Sequence, residues 1–263
     1  MRADTAVALR RVLMLVGATL ALLIPPALGP ALPGRAHVAG RAEATLGTSA
    51  TASARGPRFA RFEGALPSPD ARHLADWVAD SGDNAGSAFV IVDKKFATLY
   101  VFDADARVRA ATPVLLGAAV GDDSVPGIGK RPIAQVQPHE RTTPAGRFLA
   151  ERGHNTLGHD IVWVDYDAAV SIHRVRTSNV SEGRLQRLAT ASVDDKRISY
   201  GCINVPVAFY DTYIQPAFAT QRAPVYVLPE LKPVQQVFGS YDVAAAHGAQ
   251  ASQTAAATLA LRF

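Results

Sequence analysis

The sequence predicts a mainly β domain with a few short helices. Short apolar runs that alternate with period two recur from residue 88 to residue 229, and turn residues separate them. Helical spacing, by contrast, is confined to brief stretches, and a body of this length can enclose one core.

The chain opens with Arg2, Arg10 and Arg11 ahead of an unbroken apolar run at 12–24, VLMLVGATLALLI, which Pro25 and Pro26 end. A bilayer span needs about 20 apolar residues, whereas a run of this length suits the core of a secretory signal. Residues 1–36 are therefore expected to be a signal peptide cut near Ala36, with an uncleaved anchor as the competing reading. The expected destination is the periplasm or cell envelope, with no stable membrane span after cleavage. The formal net charge is +4. Cutting after Ala36 removes Arg2, Arg10, Arg11 and Arg35 against Asp4, which leaves about +1, too little for the basic footprint of a nucleic-acid binder.

Residues 37–66 are rich in Ala, Gly, Ser, Thr and Arg and are expected to be a flexible linker, because they carry little apolar surface to offset chain entropy. Residues 67–82 read as one short helix packed on the domain. Ser68 is its N-cap, Pro69 its first residue, Ala71, Leu74, Ala75 and Val78 its apolar face, and Gly82 its end. Next, AFVIVD and ATLYVF around Lys94 to Phe96 form a hairpin that VRAATPVLLG extends. Further strands are expected at RFLAER, DIVWVDY, AVSIH and PVYVL. Helical signals lie at 182–189 and from 205 to about 220, the latter with Asn204 as N-cap and Pro206 in its first turn. The catalytic-scale domain is thus 88–229, and 230–263 is an alanine-rich, low-complexity tail expected to be disordered or a frayed helix.

Two stretches tempt a cofactor reading and fail it. GDDSVPGIGKRP has Ser124 where a phosphate loop needs its first glycine, and Arg131 where it needs a hydroxyl. His154 and His159 sit in a glycine-containing loop at a spacing that suits a solvated turn better than a metal. Neither a cofactor nor a metal is expected.

The chain holds one cysteine, Cys202, so no internal disulfide is possible. It is a buried filler, an intermolecular link or a reactive thiol. As a thiolate it would be a strong nucleophile, and an imidazole can take its proton and return it to a leaving amine. His173 closes the alternation AVSIH at a strand end, and Cys202 follows the strand RIS at a turn. Gly201 beside the nucleophile permits close backbone approach, so that the amides of Gly201 and Cys202 can face the oxygen of a tetrahedral intermediate. Ser199 and Asn204 flank the thiol and can hold the imidazole or the loop.

SYGCIN after a strand-ending SIH resembles the signature of the L,D-transpeptidases with a YkuD-type catalytic domain. Three further matches come in the same order: FVIVDKKFATLYVFD resembles the opening hairpin, TTPAGRF the Thr-Pro-x-Gly-x-Phe turn and strand, and VPVAFYDTYI the helix after the nucleophile. The resemblance implies a β-sandwich or barrel-like catalytic domain. It also implies Cys202 as nucleophile, His173 as its base, Gly201 and Cys202 as oxyanion donors, and the Arg174 carbonyl as the group orienting the imidazole. Ser199 and Asn204 match supporting positions of the motif.

Two positions depart from the pattern. Tyr200 replaces the usual histidine before the glycine, and the interval from His173 to Cys202 is longer than usual, with the excess at 177–196 reading as a lid. The implied reaction is acyl transfer on peptidoglycan stem peptides: Cys202 releases a terminal D-alanine, and an amine resolves the thioester. The acceptor is another stem, giving 3-3 cross-links, or a wall-attached lipoprotein. Water as acceptor would make a carboxypeptidase, and a non-catalytic wall-binding or scaffold protein is the rival from another class. Carbapenems are the implied inhibitors.

Overall fold

The structure is a computed structural model that describes residues 56–260. The expected signal peptide, and the expected linker up to residue 55, lie outside the described residues.

The described residues form ten strands: β1 (Phe89–Asp93), β2 (Thr98–Phe102), β3 (Val108–Pro113), β4 (Leu116–Gly117), β5 (Gly146–His154), β6 (Asp160–Asp165), β7 (Val170–Arg174), β8 (Arg197–Ser199), β9 (Ile203–Val205) and β10 (Ala223–Val227). Eight of them make one sheet in the order β3-β2-β1-β10-β5-β6-β7-β9, while β4 pairs with β8. The sheet curls until its ends nearly meet. Leu115, just past β3, exchanges two backbone hydrogen bonds with Asn204 in β9, each of 2.9 Å. The fold is therefore mainly β, as the sequence pattern predicts, and barrel-like, as the family resemblance implies.

Burial explains why the central strands are apolar on both faces. Val90, Val92, Leu99, Val101 and Val225 point into the barrel with Val162, Ile172, Ile203 and Tyr210. Their neighbours Phe89, Ile91, Tyr100, Phe102 and Tyr226 point outward, beneath α1 (Pro69–Ser81), whose Leu74, Ala75 and Val78 cover them. Ser68 Oγ accepts the Ala71 N–H, and Gly82 ends the helix in the left-handed region.

Part of the stretch expected as linker is packed onto this outer core. Phe62 is buried with its ring edge-on to Tyr100 and Phe102, Arg61 bridges Arg107, and Asp76 accepts the Ala60 N–H. Two apolar residues, Ala60 and Phe62, suffice to dock a segment whose composition looks linker-like.

Among the described residues the other α-helices are α2 (Arg184–Ala189), α3 (Val207–Phe209), α4 (Gln215–Ala217), α5 (Val234–Phe238) and α6 (Val243–Ala260). A π turn, Tyr210–Ile214, joins α3 to α4. Asn204 does not cap this helix: it is a fully buried residue of β9, and Pro206 stands at the cap. The apolar INV before the proline extends the sheet instead. The tail is helical, and its first half is tied to α1: Tyr241 and His247 both hydrogen-bond the Asp80 carboxylate, and Ser240 meets His73. Among the described residues, no helix is long and apolar enough to cross a membrane.

A buried ionic cluster ties the chain's β1, its long loop and its exit from β10 together. Lys94 Nζ donates to the Gly121 carbonyl (2.5 Å), Asp122 Oδ1 (3.0 Å) and the Thr143 carbonyl (2.9 Å). Asp122 in turn accepts the backbone N–H groups of Glu230, Leu231 and Lys232, and Arg197 pairs with Glu230.

Candidate active site

Cys202 and His173 are brought to one cavity by the pairing of two short parallel strands. The register that sets Ile172 beside Ile203 and His173 beside Asn204 also sets Ser171 beside Cys202. Side chains two apart share a face, so Ser171, His173, Cys202 and Asn204 all line the same cavity, of about 760 Å³.

The turn that carries the thiol is held rigidly. Ser199 Oγ donates to the Cys202 carbonyl at 2.6 Å and accepts the Gly201 N–H at 3.1 Å. Asn204 Nδ2 reaches the same Cys202 carbonyl at 3.2 Å, and Thr143 Oγ1 donates to the Gly201 carbonyl at 2.8 Å. Gly201 has φ +126°, and a Cβ there would stand 2.8 Å from the Thr142 carbonyl oxygen, so the turn demands glycine. Its N–H is engaged by Ser199, which leaves the Cys202 N–H, with no acceptor among the described residues, as the free donor of the expected pair.

The thiol itself is half-buried, 3.6 Å from Ser171 Oγ and 3.5 Å from the Ala169 carbonyl oxygen. No hydrogen bond joins it to His173; the two share the cavity. His173 Nδ1 is 2.8 Å from the Arg174 carbonyl oxygen. A carbonyl only accepts, so Nδ1 carries the proton and Nε2 keeps its lone pair. Burial pushes the His173 pKa down to about 4, helped by the charges of Arg176 and Arg184 and opposed by the Arg174 carbonyl. At neutral pH the ring is uncharged and able to accept a proton.

Arg174 contributes more than its carbonyl. Its guanidinium pairs with Asp160 (2.7 Å) and Asp211 (2.6 Å) and stacks on the Tyr210 ring, which fixes the end of β7. Tyr200 is exposed at the cavity mouth with the Arg141 guanidinium 4.0 Å over its ring.

The segment 177–196 forms a wall of the cavity rather than a detached flap. Lys196 Nζ donates to the Arg187, Leu188 and Thr190 carbonyls, closing the C-terminal end of α2. Leu188 packs on Leu115 and Val175, and Arg184 pairs with Glu182 and donates to Asn204 Oδ1 at 2.6 Å. Ser171, Thr143, Arg176 and Arg184 escaped the sequence reading. Strand alternation two residues before His173 signals Ser171; the others reach the site through contacts distant in sequence.

Among the described residues, no group of three metal-ligating side chains converges.

No protein-family model matches the chain, and neither does any curated protein. Solved structures do. The chain is similar to an Enterococcus faecium L,D-transpeptidase, with 17% identity over 54% of this chain and 50% of that one and a TM-score of 0.30. It is also similar to the helical cell shape determining protein of Campylobacter jejuni, with 15% identity over 64% and 58% and a TM-score of 0.38. A third is an L,D-transpeptidase solved in complex with imipenem, with 18% identity over 54% and 59% and a TM-score of 0.31. The chain thus spans about half the length of the first of these.

Proposed function

We propose that this chain is an exported peptidoglycan L,D-transpeptidase acting by cysteine acyl transfer. The observation that carries the reading is the chain's one thiol on a rigid turn, in the same open cavity as a neutral imidazole whose Nδ1–H is engaged and whose Nε2 is free. The motif around Cys202 supplies the substrate class by resemblance.

In the proposed reaction, His173 Nε2 takes the thiol proton as Sγ bonds to the carbonyl carbon between the third residue, a diamino acid, and the terminal D-alanine of a tetrapeptide stem. The oxyanion receives the Cys202 N–H. The C–N bond breaks, the imidazolium returns its proton to the departing amine of D-alanine, and a thioester remains. An amine of a second stem, or of a wall-attached lipoprotein, then attacks the thioester and restores the thiol; with water the product is a trimmed stem. The uncharged His173 suits a proton transfer concerted with attack, because a resting imidazolium would lack the lone pair.

Incubation with purified tetrapeptide stems, followed by mass spectrometry, tests this. Release of D-alanine that is lost in Cys202→Ala, and falls at least about a hundredfold in His173→Ala, is the expected result; full release by His173→Ala would refute the pairing. The motif also implies carbapenem acylation of Cys202, read as an intact-mass adduct absent from Cys202→Ala.

A non-catalytic wall-binding role is the second reading. The sulfur's contacts with Ser171 and Ala169 in place of His173, and Tyr200 in place of a histidine, favour it. Stem binding without D-alanine release or carbapenem adduct would establish it over the first.

A further inference from the structure

The cavity that holds Cys202 has an unbalanced charge. Two arginines, Arg176 and Arg184, line it, and no aspartate or glutamate does. The arginines nearby differ in how they are satisfied. Arg174 has two carboxylates, and Arg184 has Glu182 and the Asn204 amide oxygen. Arg176 is half-buried, yet among the described residues it pairs with no carboxylate and donates to no protein group. It also lines a second cavity, of about 640 Å³, which shares His173 with the first. Arg184 Nη2 likewise donates to no protein group and remains available.

A partly desolvated guanidinium without a counter-ion is unfavourable, and beside an imidazole it also disfavours the imidazolium that acyl transfer must form. An anion bound there removes both penalties. The planar fork of arginine matches a carboxylate better than a point charge would. Arg176 stands three residues past His173, on the segment leading from β7 into the wall formed by 177–196, so an anion held there is next to the reacting groups.

We propose that Arg176, assisted by Arg184, is a carboxylate-binding subsite that selects acyl donors carrying a free carboxylate beside the scissile amide over their amidated counterparts. This deepens the transpeptidase reading and rests on it for the identity of the donor; the anion preference itself rests on the cavity alone. Because Arg184 belongs to the inserted segment, the selectivity is a property of that segment as well as of the strand that carries His173.

The single cysteine gives a direct readout. Iodoacetate and iodoacetamide alkylate the same sulfur and differ in one carboxylate, so the ratio of their rates reports the anion preference of the cavity whatever the reactivity of the thiol. In Arg176→Gln the iodoacetate-to-iodoacetamide ratio is expected to fall about fivefold, and Arg176→Lys should retain most of it. In turnover, Arg176→Gln should raise KM for a stem ending in a free carboxylate about tenfold while leaving KM for the amidated stem unchanged. An unchanged alkylation ratio in Arg176→Gln, no alkylation by either reagent, or equal KM increases for both stems would overturn the subsite. A fall in the ratio with no D-alanine release from any stem would instead sustain the anion subsite and overturn the transpeptidase reading.

Discussion

Acid should destabilise this protein through His173, by an amount that the structure sets. The imidazole titrates at about 4 in the folded chain against 6.5 when free. The unfolded chain therefore binds a proton between those two values that the folded chain refuses, and stability rises with pH across that window. It is fully present above about 6.5 and lost as pH falls toward 4. At about 1.4 kcal/mol per pH unit the difference corresponds to about 3 kcal/mol, and because the ring is partly exposed to two cavities, screening reduces the expected change to about 2 kcal/mol. His173→Gln keeps a hydrogen-bonding side chain and removes the titration. Urea unfolding of the parent and of His173→Gln at pH 4.5, 5.5, 6.5 and 7.5 isolates the contribution, since other acid-sensitive groups cancel in the difference. The gap between the two proteins should widen in the parent's favour by about 2 kcal/mol on going up the series. Parallel curves, within about 0.5 kcal/mol throughout, would refute the neutral, desolvated imidazole.

Three further outcomes follow from geometry. Gly201→Ala places a Cβ 2.8 Å from the Thr142 carbonyl at φ +126°, and should cost about 3 kcal/mol, seen as a thermal midpoint lowered by about 6–12 °C; a shift under about 2 °C would show the turn to be permissive. Lys94→Met leaves Asp122 without its buried cation, while Glu230 keeps Arg197, and should cost about 3–5 kcal/mol in urea unfolding, whereas a loss below about 1 kcal/mol would mean that the cluster is dispensable. Lys196→Met opens the C-terminal end of α2, at a cost of about 2 kcal/mol, and should speed amide exchange over 184–190 while leaving β1 and β10 protected; unchanged exchange there would refute the capping role.

What the residues disclosed, and what they hid, divides along local and distant contacts. Short apolar runs between turn residues announced β1, β2, β6, β7 and β10, most of whose residues are buried. Ser68, Pro69 and Gly82 marked the ends of α1 through chemistry confined to one helical turn. Asn204 misled because asparagine before proline also reads as a helix cap; only the distant Leu115 and β7 show that this stretch completes the barrel. The docking of Phe62 and of Tyr241 and His247 depends on surfaces built by other parts of the chain, so a compositional reading sees linker and tail. At the site, Cys202, His173 and Gly201 stood out by residue type and neighbours. The roles of Thr143 and Arg184 come from residues 58 and 20 positions from their partners.

A solitary thiol in an open cavity has a redox consequence. Peroxide would convert Cys202 to a sulfenic acid, and no second thiol exists in the chain to condense with it and be reduced again. Recovery would have to come from a small external thiol or a reductase able to enter the cavity. Without one, continued oxidation to the sulfinic acid would be irreversible, and under the acyl-transfer role proposed above it would tie the protein's working lifetime to the reducing capacity of its surroundings.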